Sequence, residues 1–287
     1  MKIAWIGTGI MGKAMLKHLE QEGYFLQIFN RTTTKAKALE NDSIVVCNSV
    51  SEVIDGVDVI FTMLGYPDDV EEIYLGAKGI FENIKNHQIC VDMTTSSPKL
   101  AKKIADKFLE KNVFVLDAPV SGGEIGAINK TLTIMVGGDF NIFNKIKPLF
   151  KILGKSVQYM GESGSGQHTK MANQISIAAS LAGTCETIYY CLEKGLDLNK
   201  ALDVIVNGSA SSWQLINNGK NIVDKNFAPG FYVKHFLKDM KIAQQEMFPK
   251  KLDILDNVIR MYEYLVENNY QEYGTQILIE YYLQKFF

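Results

Sequence analysis

The run Gly7-Thr8-Gly9-Ile10-Met11-Gly12 follows a short apolar segment, Lys2–Ile6, and opens a helical pattern. That order leaves few folds open to the chain. The first glycine permits a tight turn, the second lets backbone approach a phosphate, and the third lets the helix pack closely on the strand. The start of the helix then offers unpaired N–H groups and a partial positive charge to a pyrophosphate. A second β-rich run ends near Asn30, so the turn is read as a dinucleotide site and its residues as cofactor contacts.

The same grammar continues through the N-terminal half. Strands are expected at Lys2–Ile6, Phe25–Asn30, Val45–Cys47, Val57–Met63, Gln88–Asp92, Val113–Asp117 and Thr131–Gly137. Helical patterns at Gly12–Glu22, Thr34–Asn41, Pro67–Tyr74 and Pro98–Lys111 lie between them, and this alternation predicts a doubly wound, mostly parallel sheet of Rossmann type. After the Gly/Ser-rich stretch 161–166 the period becomes helical throughout, beginning with one long helix from Gly166 to about Lys194 that Gly195 stops in a left-handed cap. Further helices are expected from about Asn199, Trp213, Phe236 and Asp253. The reading is an α/β domain over residues 1–162 and an all-α domain over 163–287, linked by the long helix.

Composition removes several classes of function. A net charge of −2, with Lys and Arg scattered, gives no electrostatic reason to expect nucleic acid or an anionic membrane as partner. Lys145, Lys147, Lys151 and Lys155 read as the face of a solvated helix. The four cysteines (Cys47, Cys90, Cys185, Cys191) form no CxxC pair, so neither a zinc site nor a disulfide framework is expected, and Cys90 reads as a small buried hydrophobe. No metal is expected. The N-terminus does not read as a signal peptide, no segment approaches the ~18 uninterrupted apolar residues of a membrane helix, and a reducing cytoplasm fits best.

Several loops fall at the carboxyl edge of the expected sheet. The second strand ends in Asn30-Arg31-Thr32, where an NAD-selective site usually carries a carboxylate for the ribose hydroxyls. Asn30 removes that charge, Arg31 supplies a planar donor fork and Thr32 a hydroxyl, so NADP is preferred, with NAD as the alternative. Met63 and Leu64 follow another strand and are candidate cofactor contacts. The Asp92-Met-Thr-Thr95-Ser-Ser97-Pro98 stretch caps a helix and can also bring a threonine hydroxyl to the site. Ser121-Gly122-Gly123 offers successive N–H groups suited to a carboxylate, or a plain turn. On the long helix, Lys170, Asn173 and Gln174 share a face.

With these motifs in order, the chain resembles the β-hydroxyacid dehydrogenase family, a group that includes 3-hydroxyisobutyrate dehydrogenases, tartronate semialdehyde reductases and glyoxylate/succinic semialdehyde reductases. The resemblance runs through Gly7–Gly12, Asp92–Ser97, Asp117–Gly123, Gly164–Gln174 and Phe231 to Lys238-Asp239. The tip at Asn30-Arg31-Thr32 looks most like the NADPH-using glyoxylate/succinic semialdehyde branch. The resemblance implies that Lys170 is the acid/base and that Ser121, Gly122 and Gly123 hold a substrate carboxylate. It also implies that Thr95 lies between nicotinamide and substrate, that Asn173 and Gln174 contact the substrate, and that Lys238 closes over the cofactor while Phe231 and Asp239 shape the pocket mouth. The family often has Asn where Gln174 stands; the amide function survives. Topology would bring Lys170 to the reaction from outside the sheet domain, in a cleft between the two domains.

The implied partner is a small carboxylate-bearing aldehyde or alcohol, and the implied assembly a homodimer or homotetramer. The apolar tail Tyr281-Tyr282-Leu283 with Phe286-Phe287 suggests a subunit contact. Trp213 is read as pocket wall, core or interface. The implied activity is NADP(H)-dependent interconversion of a short β- or γ-hydroxy acid and its semialdehyde, or of glyoxylate and glycolate. An NAD-dependent 3-hydroxyisobutyrate dehydrogenase and a non-catalytic dinucleotide-binding scaffold stay open as alternatives. Imine reductases of similar architecture usually lack the lysine, and 6-phosphogluconate dehydrogenases need a larger helical domain.

Overall fold

Alternation along the first strand sends its side chains into two separate cores, as a sheet covered on both faces requires. In the computed structural model, which describes residues 1–285, β1 (Ile3–Ile6) gives Ile3 and Trp5 to one apolar cluster and Ala4 and Ile6 to another. The other strands are β2 (Leu26–Phe29), β3 (Ile44–Val46), β4 (Val59–Thr62), β5 (Ile89–Asp92), β6 (Phe114–Asp117), β7 (Val120–Ser121), β8 (Thr133–Gly137) and β9 (Ser156–Gly161). Their order is β3-β2-β1-β4-β5-β6-β8-β7, with β9 pairing β8. The first six are parallel, β8 runs antiparallel to β6 and β7, and β9 is parallel to β8. Chain order reverses between β1 and β4, the switch point where such sheets bind ligands beyond the strand ends.

Helices α1 (Ile10–Gln21), α2 (Thr33–Lys37), α3 (Val50–Val53), α4 (Pro67–Leu75), α5 (Ile80–Asn83), α6 (Pro98–Leu109), α7 (Gly123–Ile128) and α8 (Phe140–Leu153) connect the strands. Met15, Leu16 and Leu19 of α1 and Phe143, Leu149 and Phe150 of α8 pack on the face carrying Trp5, which stacks on Phe61 at 5.4 Å. Tyr74 of α4 and Ile104 and Phe108 of α6 cover the other face, where Cys90 lies fully buried and burial pushes its thiol pKa up. Strands β7 and β9 were not expected. The first has only two residues, and the second alternates half-buried and exposed positions with no continuous apolar run.

Two compact units make up the chain, the first ending at Lys170 and the second beginning at Met171. The second is all-helical: the rest of α9 (Ser165–Glu193), α10 (Leu198–Val206), a π-helical turn at Gln214–Gly219, α11 (Lys220–Val223), α12 (Val233–Met247), α13 (Asp253–Glu267), a 3-10 turn at Thr275–Leu278 and α14 (Ile279–Lys285). Its core joins Leu181, Cys185 and Ile188 of α9 to Phe236 and Met240 of α12 and Tyr262 of α13. Gly195 has φ +64°, and the Gly195→Leu192 and Leu196→Cys191 N–H···O=C bonds complete the expected left-handed cap of α9. Among the described residues α9 is the one helix long and apolar enough to cross a membrane by composition; burial of Ala178, Leu181, Cys185 and Ile188 in this core accounts for that character. Tyr282 is buried within the same unit, 5.9 Å from Tyr189, while Trp213 is 66% exposed, which excludes it from the core. Phe286 and Phe287 lie outside the described residues.

Candidate active site

Gly7 turns the chain out of β1 with φ +101°, and a Cβ there would stand 2.2 Å from the Met63 carbonyl oxygen. Gly12 is equally constrained: its Cβ would meet the Gly7 carbonyl oxygen at 2.0 Å, and that oxygen already accepts the Trp5 indole N–H at 2.9 Å. Gly9, the N-cap of α1, has nothing within 4 Å of where a Cβ would be, and the first turn of α1 carries no acidic residue. Beside it the buried Thr8 Oγ1 has no hydrogen-bond partner among the described residues. An open cradle, an unpaired hydroxyl and a helix N-terminus suit a pyrophosphate. The residues present fit the cofactor.

The strand tip is tied to this turn. Asn30 Oδ1 accepts the Thr8 N–H at 3.0 Å, and its Nδ2 donates to the Thr32 carbonyl at 3.0 Å. Aspartate could make the first bond but not the second, so the amide shapes the turn as well as removing charge. Arg31 is exposed, and its Nη1 lies 3.1 Å from Asp69 Oδ1. Asp69 is held in turn by the Tyr66 N–H, which donates to Oδ2 at the start of α4.

Two carboxylates end neighbouring strands in register, Asp92 on β5 and Asp117 on β6. Asp92 Oδ1 accepts the Thr62 hydroxyl at 2.8 Å and the Thr94 N–H at 3.1 Å, and Thr94 Oγ1 accepts the Leu64 N–H at 2.9 Å. One buried network therefore holds the Met63-Leu64 loop beside the Thr94–Ser96 loop. Burial pushes the Asp92 carboxyl up to about 6 against the pull of the bonds from Thr94 and Thr62, and the Asp117 charge adds to the rise. Asp117 caps α9: Oδ1 accepts the Gly164 N–H at 2.7 Å and Oδ2 the Gln167 N–H at 2.9 Å. Burial raises its pKa too, opposed by those backbone bonds.

The start of α9 is pressed onto the sheet. A Cβ on Gly166 would meet the Met135 carbonyl oxygen at 2.4 Å and the Asp117 carbonyl oxygen at 2.7 Å. Gln167, wholly buried, donates through Nε2 to the Thr94 carbonyl at 2.7 Å and accepts the Ser96 N–H at 3.0 Å. One turn further on, Lys170 is 6% exposed. In the same unit Ser121 ends β7, and Gly122 (φ +129°) and Gly123 (φ +61°) make a turn that other residues adopt only with strain.

The remaining candidates belong to the second unit. Asn173 Nδ2 donates to Gln174 Oε1 at 2.8 Å, and Gln174 Nε2 donates to Asp239 Oδ2 at 2.7 Å. Lys238 Nζ sits 3.1 Å from the other Asp239 oxygen as an ion pair. Gln174 and Asp239 are buried, so the amide and carboxylate link α9 to α12. Phe231 is half-buried, its ring 5.7 Å from that of Phe236.

Comparison with known proteins fits this arrangement. Residues 2–161 match the model for the NAD binding domain of 6-phosphogluconate dehydrogenase, and residues 164–282 match the model described as NAD-binding of NADP-dependent 3-hydroxyisobutyrate dehydrogenase. The chain is 42% identical, over 97% of its length and 84% of the relative's, to an Arabidopsis thaliana protein described as probable 3-hydroxyisobutyrate dehydrogenase-like 1, mitochondrial. It is 36% identical to the 2-hydroxy-3-oxopropionate reductase of Escherichia coli K12, over 85% of this chain and 84% of that one. The chain belongs to the β-hydroxyacid dehydrogenase family.

The fold of this β-hydroxyacid dehydrogenase superposes on that of Mycobacterium tuberculosis 3-hydroxyisobutyrate dehydrogenase solved with L-serine. The TM-score is 0.89 at 24% identity, covering 97% of this chain and 98% of that one. Membership makes the protein an NAD(P)-dependent hydroxyacid oxidoreductase. Sequence reasoning did not single out Asp92 and Asp117 as buried carboxylates that tie loops and helix together, and it passed over Gln167 and Asp69. A signal existed for the first two. Ile89-Cys-Val-Asp92 and Phe114-Val-Leu-Asp117 each end an apolar run in a carboxylate, which in a parallel sheet places it at the ligand-binding edge.

Proposed function

We propose that this dehydrogenase uses NADPH to reduce a short carboxylate-bearing aldehyde, such as glyoxylate or succinic semialdehyde, to its hydroxy acid, with Lys170 as acid/base. The observation that carries the reading is the placement of buried Lys170 on a helix whose first turn is bonded to both Asp117 and the Thr94–Ser96 loop. NADPH, when bound, supplies the hydride that reduces the aldehyde carbon. Gly7, Gly9 and Gly12 with Thr8 hold its pyrophosphate, and Met63 and Leu64 flank its ribose. The main-chain N–H groups of Ser121, Gly122 and Gly123 hold the substrate carboxylate. Thr95 orients the reacting groups. The Lys170 ammonium donates a proton to the carbonyl oxygen as negative charge develops there, and in the oxidative direction the neutral amine takes the hydroxyl proton back. Asn173 and Gln174 contribute substrate contacts, Lys238 a cofactor contact, and Phe231 and Asp239 the pocket mouth. A homodimer or homotetramer is part of the same reading, since Tyr190, Leu196 and Val204 leave apolar surface exposed on the second unit. So is a reducing, cytoplasmic setting, in keeping with four free, buried cysteines.

The test is NADPH oxidation with glyoxylate, succinic semialdehyde, tartronate semialdehyde and methylmalonate semialdehyde. Turnover with at least one is expected; consumption with none would restore the scaffold alternative. NADP preference is assigned to Arg31, with Thr32 beside it. The Arg31–Asp69 ion pair favours the rival NAD reading, because Asp69 competes for the guanidinium. Arg31→Ala separates the two: the ratio of kcat/KM for NADPH over NADH should fall by about tenfold or more, as loss of a charge-assisted bond worth about 1.5–3 kcal/mol requires. An unchanged ratio would remove Arg31 from the site.

A further inference from the structure

We propose that Gln167 is a positioning residue that holds Thr95 and Lys170 in one fixed relation. Its side-chain amide bonds once to each of the peptide groups flanking Thr95: Nε2 donates to the Thr94 carbonyl at 2.7 Å, and Oε1 accepts the Ser96 N–H at 3.0 Å. One bond to each plane restrains both φ and ψ of Thr95, and with them the direction of its Cα–Cβ bond. No solvent competes, because Gln167 is 0% exposed and Thr94 1%.

The other end of the residue is equally fixed. The Gln167 N–H donates to Asp117 Oδ2, and Lys170 follows three residues later on the same helix, about one turn on. Thr95, Gln167 and Lys170 thus share one rigid path: loop peptide planes, a buried amide, one helical turn. Glutamine suits this place because it carries a donor and an acceptor at the right reach. Asparagine is one methylene short, glutamate lacks the donor, and methionine lacks both. The inference rests on the assignment of Lys170 as acid/base and adds the group that aligns it. Misplacing a catalytic group by about 1 Å can cost on the order of 10²-fold.

Gln167→Met and Gln167→Glu, measured beside Lys170→Ala, test the proposal with succinic semialdehyde or whichever aldehyde acid of the panel turns over fastest. Gln167→Met should lower kcat by about 10–10²-fold, leave the Kd for NADPH within about twofold, and raise the isotope effect with deuterated NADPH as hydride transfer becomes slower than product release. Full kcat in Gln167→Met, with only Tm lowered, would reduce Gln167 to a structural residue and overturn the inference. Should Gln167→Met fail to fold, Gln167→Glu gives an independent reading. Its protonated form regains the donor, so its kcat relative to wild type should rise as pH falls; a flat ratio would also overturn the inference. Retained turnover in Lys170→Ala would instead sink the underlying mechanism, so the two failures are distinguishable.

Discussion

Lys170→Ala is expected to lower kcat by about 10²–10⁴-fold while the Kd for NADPH stays within about twofold, because the proposed acid/base role would contribute that much and the proposed pyrophosphate cradle lies elsewhere. The expectation is local. Lys170 is 6% exposed, and its main chain belongs to a helix secured through Gly164 and Gln167, neither of which the substitution touches. The glycine turn sits after β1 and is braced by Trp5 and Asn30, so cofactor binding has no reason to fail. Lys170→Arg sharpens the result. Arginine keeps the positive charge and adds donors, yet it stays protonated at every accessible pH and cannot alternate between acid and base. Retained turnover in Lys170→Ala, or full restoration by arginine, would show that charge alone or another group carries the proton. Fluorescence titration with NADPH alongside stopped-flow oxidation checks both halves.

Legibility differed by level. The sheet, the glycine turn and the long helix were plain in the sequence because each rests on local pattern: apolar runs for β1, β4, β5 and β6, glycine spacing at 7, 9 and 12, and helical period ending in Gly195. The role proposed for Lys170 rests on the order of five motifs, since one lysine on a helix carries no signal of burial. The bonds of Gln167 were not readable at all. Its partners, Thr94 and Ser96, are 73 and 71 residues away in the chain, and nothing in a glutamine's neighbours announces a contact at that separation. Asn30 and Arg31 show the middle case. Residue type pointed to a missing carboxylate, but Asp69 stands 38 residues on and meets Arg31 only through the fold.

Gly166→Ala is the second large effect expected, and it links stability to catalysis. The added methyl would stand 2.4 Å from the Met135 carbonyl oxygen and 2.7 Å from that of Asp117, and both are backbone atoms of the sheet that cannot swing aside. The first turn of α9 must therefore lift. Overpacking of this kind costs about 1–3 kcal/mol, occasionally more. Lifting also stretches the bonds from Gly164 and Gln167 to Asp117, hydrogen bonds to a charged group worth about 1.5–3 kcal/mol each. At roughly 2–4 °C per kcal/mol for a unit of this size, the overpacking alone should lower Tm by about 2–12 °C, and weakening of those bonds adds to the fall. The same displacement reaches Lys170 within about one helical turn, so kcat should drop by on the order of 10²-fold even well below the new Tm. NADPH affinity should change far less, because the glycine turn packs on Met63 and Trp5 rather than on α9. Wild-type Tm together with wild-type kcat would mean that α9 does not press on β6 and β8 as described, and that the alignment of Lys170 has another origin.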